Sequence, residues 1–414
     1  VSVVRSLARA GALAASLLAA AAGSAPAHAD EQSFERIQRG RVLATVGDCV
    51  ACHTAIGGKP FAGGLPIETP FGSVVAPNLT PDVATGIGGW TDAQFLRAMQ
   101  HGIGRNGEHL YPAFPYQYFA RAKPADLLDI RAYLSTLDPV VNAVDRNRMD
   151  FPFDIRLSMF GWNLLFFDSK PVVAVSGKSA EWNRGAYLVE TLGHCAACHT
   201  AKNFLGGDKT SHSLQGGNIQ NWFAPALDAD PRTGLGAWSV RQVVDYLKTG
   251  QNDIAAASGP MADVITHSTS QLPVADLQAM AVYLKDQPAP HEEAPTPLAA
   301  NDPVMRAGAA IYADNCAACH TAAGTGMPRL FPALKGSAVV QSASTASLLR
   351  VVLIGAQAVA TDALPTGAAM PAFAWKLSDA QVAAVTTYVR NAWGNAASPV
   401  SADAAQDMRA NLAK

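Results

Sequence analysis

Three pentapeptides decide the reading: Cys49-Val50-Ala51-Cys52-His53, Cys195-Ala196-Ala197-Cys198-His199 and Cys316-Ala317-Ala318-Cys319-His320. Together they use all six cysteines and three of the ten histidines. Cys-x-x-Cys-His is the attachment signature of a c-type haem. Two thiols on one helical turn reach the two vinyl groups of a single macrocycle and form thioethers. The histidine that follows is carried beneath the iron as its proximal ligand. Other cysteine chemistries fit less well. Disulfides or thioredoxin-like dithiols leave the trailing histidines unexplained, and structural zinc needs two such pairs close together. The expected cofactors are three covalent haems c, held by Cys49, Cys52, Cys195, Cys198, Cys316 and Cys319, with His53, His199 and His320 on the irons.

The sequence repeats itself outward from each pentapeptide. A helical pattern opening on glycine precedes it (Gly40, Gly185, Gly308), and a threonine follows it (Thr54, Thr200, Thr321). A second helix is expected at 91–101, 239–249 and 345–354, ending at the capping glycines Gly102, Gly250 and Gly355. A third closes each copy at 124–137, 273–286 and 378–393. Runs of alternating polarity are missing, so β content should be low. The predicted fold is all-α: three tandem class I cytochrome c-type domains with long loops, one haem each, at 30–137, 177–287 and 302–395. Segments 138–176 and 288–301 read as linkers and 396–414 as a C-terminal tail. In each domain the first and last helices are expected to cross.

Composition narrows the remaining choices. The chain has 414 residues, 49% hydrophobic and 15% charged, with 31 basic against 33 acidic side chains. That is enough apolar material for real cores, and it leaves no basic field for nucleic acid. Residues 1–29 read as a signal peptide: Arg5 and Arg9, an apolar run at 10–22, then Ala27-His28-Ala29 as cleavage site. Later apolar stretches such as 160–167 and 351–360 are far shorter than the ~18 residues of a spanning helix. The expected location is the periplasmic side of the inner membrane, with peripheral attachment. The apolar segment 160–167 could serve a partner, a membrane surface or an internal seam.

An electron-transfer haem needs a sixth ligand, most often methionine. Met261 and Met370 lie in the loop ahead of the closing helix and are assigned to the second and third irons. The same loop in the first copy reads Tyr111-Pro112-Ala113-Phe114-Pro115 and has no methionine. His109 and Met149 are the nearest alternatives there, Met99 and His101 weaker ones, and a five-coordinate iron is the third option.

These residues resemble a known family, the tri-haem cytochrome c subunits of periplasmic, membrane-associated dehydrogenases acting on alcohols, gluconate, fructose or aldehydes. The resemblance rests on Pro77-Asn78-Leu79-Thr80-Pro81, Tyr111-Pro112-Ala113-Phe114-Pro115-Tyr116, Phe151-Pro152-Phe153, Trp182-Asn183-Arg184-Gly185 and Met370-Pro371-Ala372-Phe373, beside the pentapeptides. It implies a subunit that takes electrons from a larger catalytic dehydrogenase subunit, with a small iron–sulfur subunit, and passes them to ubiquinone. Phe114 stands where the alcohol- and sugar-oxidising branches carry methionine. That variant is similar to subunits partnering molybdenum hydroxylases, so a molybdenum-dependent aldehyde dehydrogenase is the expected partner. A quinoprotein alcohol dehydrogenase or flavin sugar dehydrogenase is the alternative. A multihaem peroxidase using the first haem as an open site is the rival of a different class. The chain has no phosphate loop and no dinucleotide fingerprint.

Overall fold

The computed structural model describes residues 33–290 and 293–413, so the expected signal peptide lies outside the described residues. The chain around the first pentapeptide forms α1 (Phe34–Val46), α2 (Cys49–Cys52), α3 (Asp92–His101), α4 (Tyr116–Phe119) and α5 (Pro124–Leu134). Segment 138–176 contains α6 (Ser158–Phe166). The second copy holds α7 (Ala180–Glu190), α8 (Ala196–His199), α9 (Val240–Thr249), α10 (Pro260–His267) and α11 (Val274–Lys285). The third has α12 (Pro303–Asn315), α13 (Ala317–His320), α14 (Ala338–Gln341), α15 (Ala346–Ile354), α16 (Asp379–Asn391) and α17 (Ala402–Leu412). None of the described helices is long and apolar enough to cross a membrane.

Local chemistry explains the boundaries. Thr91, Ser239 and Ser378 each close a capping box with Gln94, Gln242 and Gln381, satisfying amides that a helix start leaves orphaned. Gly102 and Gly250 end α3 and α9 in the left-handed conformation, with φ of 62° and 79°.

In every copy the first and last helices cross at a glycine. A Cβ on Gly40 would overlap the carbonyl of Asp129, one on Gly185 that of Ala279, and one on Gly308 that of Ala384. The backbones therefore touch directly, as the expected crossing requires. Ion pairs flank the contact: Arg39 Nε with Asp129 at 2.6 Å, and Arg184 Nε with Asp276 at 2.9 Å.

The first two copies share one core. Leu43, Phe95, Leu127 and Ile130 pack in the same cluster as Leu188, Val243, Leu277 and Met280. The third copy has clusters of its own, around Leu349 and Val382 and around Tyr312 and Val385. A small cluster of Ala257, Ile265 and Val359 joins it to the second.

Three features depart from an all-helical reading with plain linkers. Short antiparallel hairpins occur, β1 (Pro66–Thr69) with β2 (Gly72–Val75), β4 (Gly217–Ile219) with β5 (Trp222–Ala224), and β6 (Ala356–Gln357) with β7 (Ala369–Met370). Strands of two to four residues are too short to show a period in sequence. Segment 138–176 adds β3 (Arg148–Met149) to β2 and packs Met159 and Trp162 of α6 inward. The tail carries α17, which buries Ala405 and Met408 against the third copy. Arg409 ties α17 down by pairing with Asp379 at 2.8 Å and donating to the carbonyls of Ala374 and Leu377.

Candidate haem-attachment sites

Each pentapeptide is separated from the first helix by at most four residues, and its two cysteines lie on a single short turn. The histidine at its end is held the same way in all three copies. His53 Nδ1 donates to the Pro77 carbonyl at 2.7 Å, His199 Nδ1 to Pro225 at 2.6 Å, and His320 Nδ1 to Pro332 at 3.0 Å. A carbonyl can only accept, so the proton sits on Nδ1 and the Nε2 lone pair is left for a metal. Burial lowers the pKa of all three imidazoles and keeps them neutral, the form that ligates. The proline carbonyl behind each ring also fixes the ring's direction. Sequence patterns do not reveal these prolines, because they follow their histidines by 24, 26 and 12 residues, with no common spacing.

The thiols are not disulfide-bonded. Burial pushes Cys49 and Cys195 up to about 12 and Cys52 and Cys316 up to about 11. Redox-active Cys-x-x-Cys pairs go the opposite way, with a lowered pKa. Among the described residues no group of three or more His, Cys, Asp or Glu forms a metal-binding set. The donor set therefore fits covalent haem c, which supplies one-electron chemistry when bound, and does not fit dithiol exchange or structural zinc.

The loops ahead of the closing helices show where the methionines sit. After α9, the Ala257 amide donates to the Gly250 carbonyl at 2.8 Å and Gln251 bridges to Ala256. After α3, the Leu110 amide donates to the Gly102 carbonyl at 2.7 Å and Ile103 bridges to His109. The first loop is one residue longer between the glycine and the returning amide; counted from that amide, Phe114 stands four residues on as Met261 does, and His109 and Ala256 each stand one before it. Met261 packs on the core cluster that Cys195 also joins. Met370 lies half-buried on β7, paired with Ala356.

The alternatives for the first copy lie in different surroundings. The Phe114 ring packs on Phe119 and Tyr116, with centroids 5.5 and 6.4 Å away. The His109 ring meets Phe160 of α6, and its carbonyl accepts from Arg156 at 2.7 Å. Its Nδ1 is buried with no partner. Met99 is a buried core residue of α3, where α9 has Leu247, and His101 is exposed. Met149 on β3 belongs to the apolar cluster that also contains Phe114. Trp90 and Trp238 pack on the shared core.

Comparison with known proteins agrees with this chemistry. The cytochrome c family matches residues 37–138 and 305–393. The chain is 38% identical to the cytochrome c subunit of alcohol dehydrogenase (quinone) from Gluconobacter oxydans, over 96% of this chain and 87% of that one. It is 38% identical to the gluconate 2-dehydrogenase cytochrome c subunit of Pantoea cypripedii, over 89% and 88%. It is 42% identical to a nicotinate dehydrogenase subunit of Pseudomonas putida, over 87% of this chain but 30% of that protein. With paired thiols, an oriented neutral histidine beside each pair, and relatives matched along nearly their whole length, the chain belongs to the cytochrome c electron-transfer subunits of membrane-bound dehydrogenase complexes.

Proposed function

We propose that the chain carries three haems c, one per pentapeptide, and moves electrons from a molybdenum-dependent aldehyde dehydrogenase to ubiquinone on the periplasmic side of the inner membrane. The observation that carries the three-haem reading is the threefold recurrence of one brace, a histidine Nδ1–H on a proline carbonyl. Met261 and Met370 complete the second and third irons. In the first copy Met149 is favoured over His109, since it shares the Phe114 cluster while the His109 ring turns to Phe160. Intact mass of the exported protein tests the count; fewer than three haem additions removes the reading.

The choice of partner is supported by Phe114 within Tyr111-Pro112-Ala113-Phe114-Pro115-Tyr116 and by the likeness to the nicotinate dehydrogenase subunit. The likeness to a quinone-linked alcohol dehydrogenase subunit along 96% of the chain favours the second reading, a quinoprotein partner. Co-purification from the native membrane separates them by the catalytic subunit recovered and the cofactor it holds. An iron–sulfur subunit in the same complex belongs to the first reading.

Peripheral membrane attachment is supported by α6. Its inner face is Met159 and Trp162, while Phe160, Leu164 and Leu165 are 61, 79 and 68% exposed, with Phe151 and Leu157 beside them in sequence and also exposed. An apolar face of this kind is characteristic of an interfacial helix or a subunit contact. Flotation with liposomes tests it. Leu164→Asp with Leu165→Asp should abolish flotation, and unchanged flotation rejects the membrane assignment.

A further inference from the structure

We propose that His194 is a positioning residue that holds the first two haem-attachment segments against each other and thereby sets the rate of electron exchange between them. The inference rests on the reading that both pentapeptides carry haem.

The residue before the first cysteine is left-handed in two copies, Asp48 with φ 49° and His194 with φ 34°. Aspartate and histidine are among the few non-glycine residues that tolerate this region. In the third copy the corresponding Asn315 is simply the last residue of α12. The special turn therefore belongs to the two copies that share a core.

That turn sends the His194 side chain out of its own repeat. Its Nε2 lies 3.4 Å from the Gly47 carbonyl, two residues ahead of Cys49, and its ring meets Phe119 edge-to-face at 5.7 Å. The carbonyl only accepts, so Nε2 donates. Burial lowers the imidazole pKa and keeps the ring neutral. Further contacts cross the same junction. Ser268 Oγ donates to the Val46 carbonyl at 3.4 Å, Tyr118 donates to Asp208 at 2.5 Å, and α10 packs on α2.

Thioethers fix each macrocycle to its cysteines, so segments that touch hold their haems at a set separation. The exchange moves one electron, one iron being oxidised as the other is reduced, with no proton required. His194 crosses between the copies from within an attachment segment, directly ahead of Cys195. Nothing in the established role of the subunit assigns it a function.

The test uses the full, haem-loaded chain in two variants. Glutamine can place an N–H where the imidazole Nε2 lies; phenylalanine keeps the ring contact with Phe119 but cannot donate. Intact mass first verifies that each variant retains its haems, which separates failure of this inference from failure of the three-haem reading. Spectroelectrochemistry then verifies unchanged midpoint potentials, and flash photolysis reads the internal electron-transfer rate. His194→Phe should slow the exchange by about tenfold or more, as small misplacements of reacting groups do, and His194→Gln should restore most of it. A wild-type rate in His194→Phe, or equal slowing in both variants, overturns the proposal.

Discussion

The loops 110–114 and 257–261 stand on one backbone frame, an amide returning to the carbonyl of a left-handed glycine, yet one ends on a phenyl ring and the other on a thioether. The frame does not depend on what its last side chain does. It is fixed by the helix C-cap, which leaves its last position open to substitution without refolding the loop. Two neighbouring sites in one shared core can thus differ in ligation while their proximal halves stay alike, each histidine braced by a proline carbonyl. Any difference in potential between them should arise on the distal side.

The largest effect expected from this comparison comes from exchanging its two end residues. Met261→Phe should remove one methionine–iron signature in magnetic circular dichroism and lower one midpoint potential by of order 100 mV, inside the ~0.8 V that axial ligands command. Phe114→Met should give the first iron a thioether at the place of Met261, so that in this variant the loss of Met149 no longer removes a signature. If Phe114→Met with Met149→Ala loses the same signature as Met149→Ala alone, the frames are not equivalent at the iron.

A smaller change separates the residues that could serve the first site. Met149→Ala should convert one haem to high spin, visible in resonance Raman spectra, while His109→Ala should leave the spin state as it was. The reverse pattern would return the assignment to histidine and make the first site bis-histidine.

Replacing the frame's own glycines comes next. A Cβ at Gly102 would meet the Tyr116 ring at 2.7 Å, and one at Gly250 would run into the Val359 side chain. Each also forces a left-handed alanine, costing about 1–2 kcal/mol before any clash. Gly102→Ala and Gly250→Ala should both lower the thermal midpoint. Gly250→Ala should also loosen the third copy, through Val359, detectable as faster hydrogen exchange in α15.

The smallest effect is a pH dependence at the junction between the two sites. Burial, aided by Asp263, pushes the Asp48 carboxyl up to about 8. The folded chain therefore favours the neutral acid. The associated stability is complete below the ordinary carboxyl pKa near 4 and is lost as pH rises through about 8. Asp48→Asn should flatten that decline, measured as the thermal midpoint between about pH 5 and 9.

What the sequence revealed was local. The pentapeptides and the glycines ending α3 and α9 act within a few residues, so spacing alone exposes them. The prolines that brace the histidines were invisible because loops of unequal length bring them back. The joining of the first two cores was invisible for a related reason: an apolar stripe on α1 or α7 announces a buried face without naming what buries it. In α17 the short stripe of Ala405, Met408 and Leu412 was masked by the polar residues around it. The Phe114 anomaly could be located from sequence, yet matching it to Met261 needed the backbone frame.

The glycine crossings carry a consequence for the order of events in biogenesis. Arg36 of α1 meets Asp129 of α5 across 93 residues, and Arg184 of α7 meets Asp276 of α11 across 92. Contacts that distant in sequence form late and slowly. Each pair of cysteines lies early in such a span, separated by at most four residues from the end of its first helix. A nascent copy therefore presents its thiols on an open chain before the last helix arrives to shut it. The crossing is backbone on backbone, so at the glycine itself the final helix docks with no side chain between the two helices. Chain order thus sets the sequence of maturation: attach first, close second.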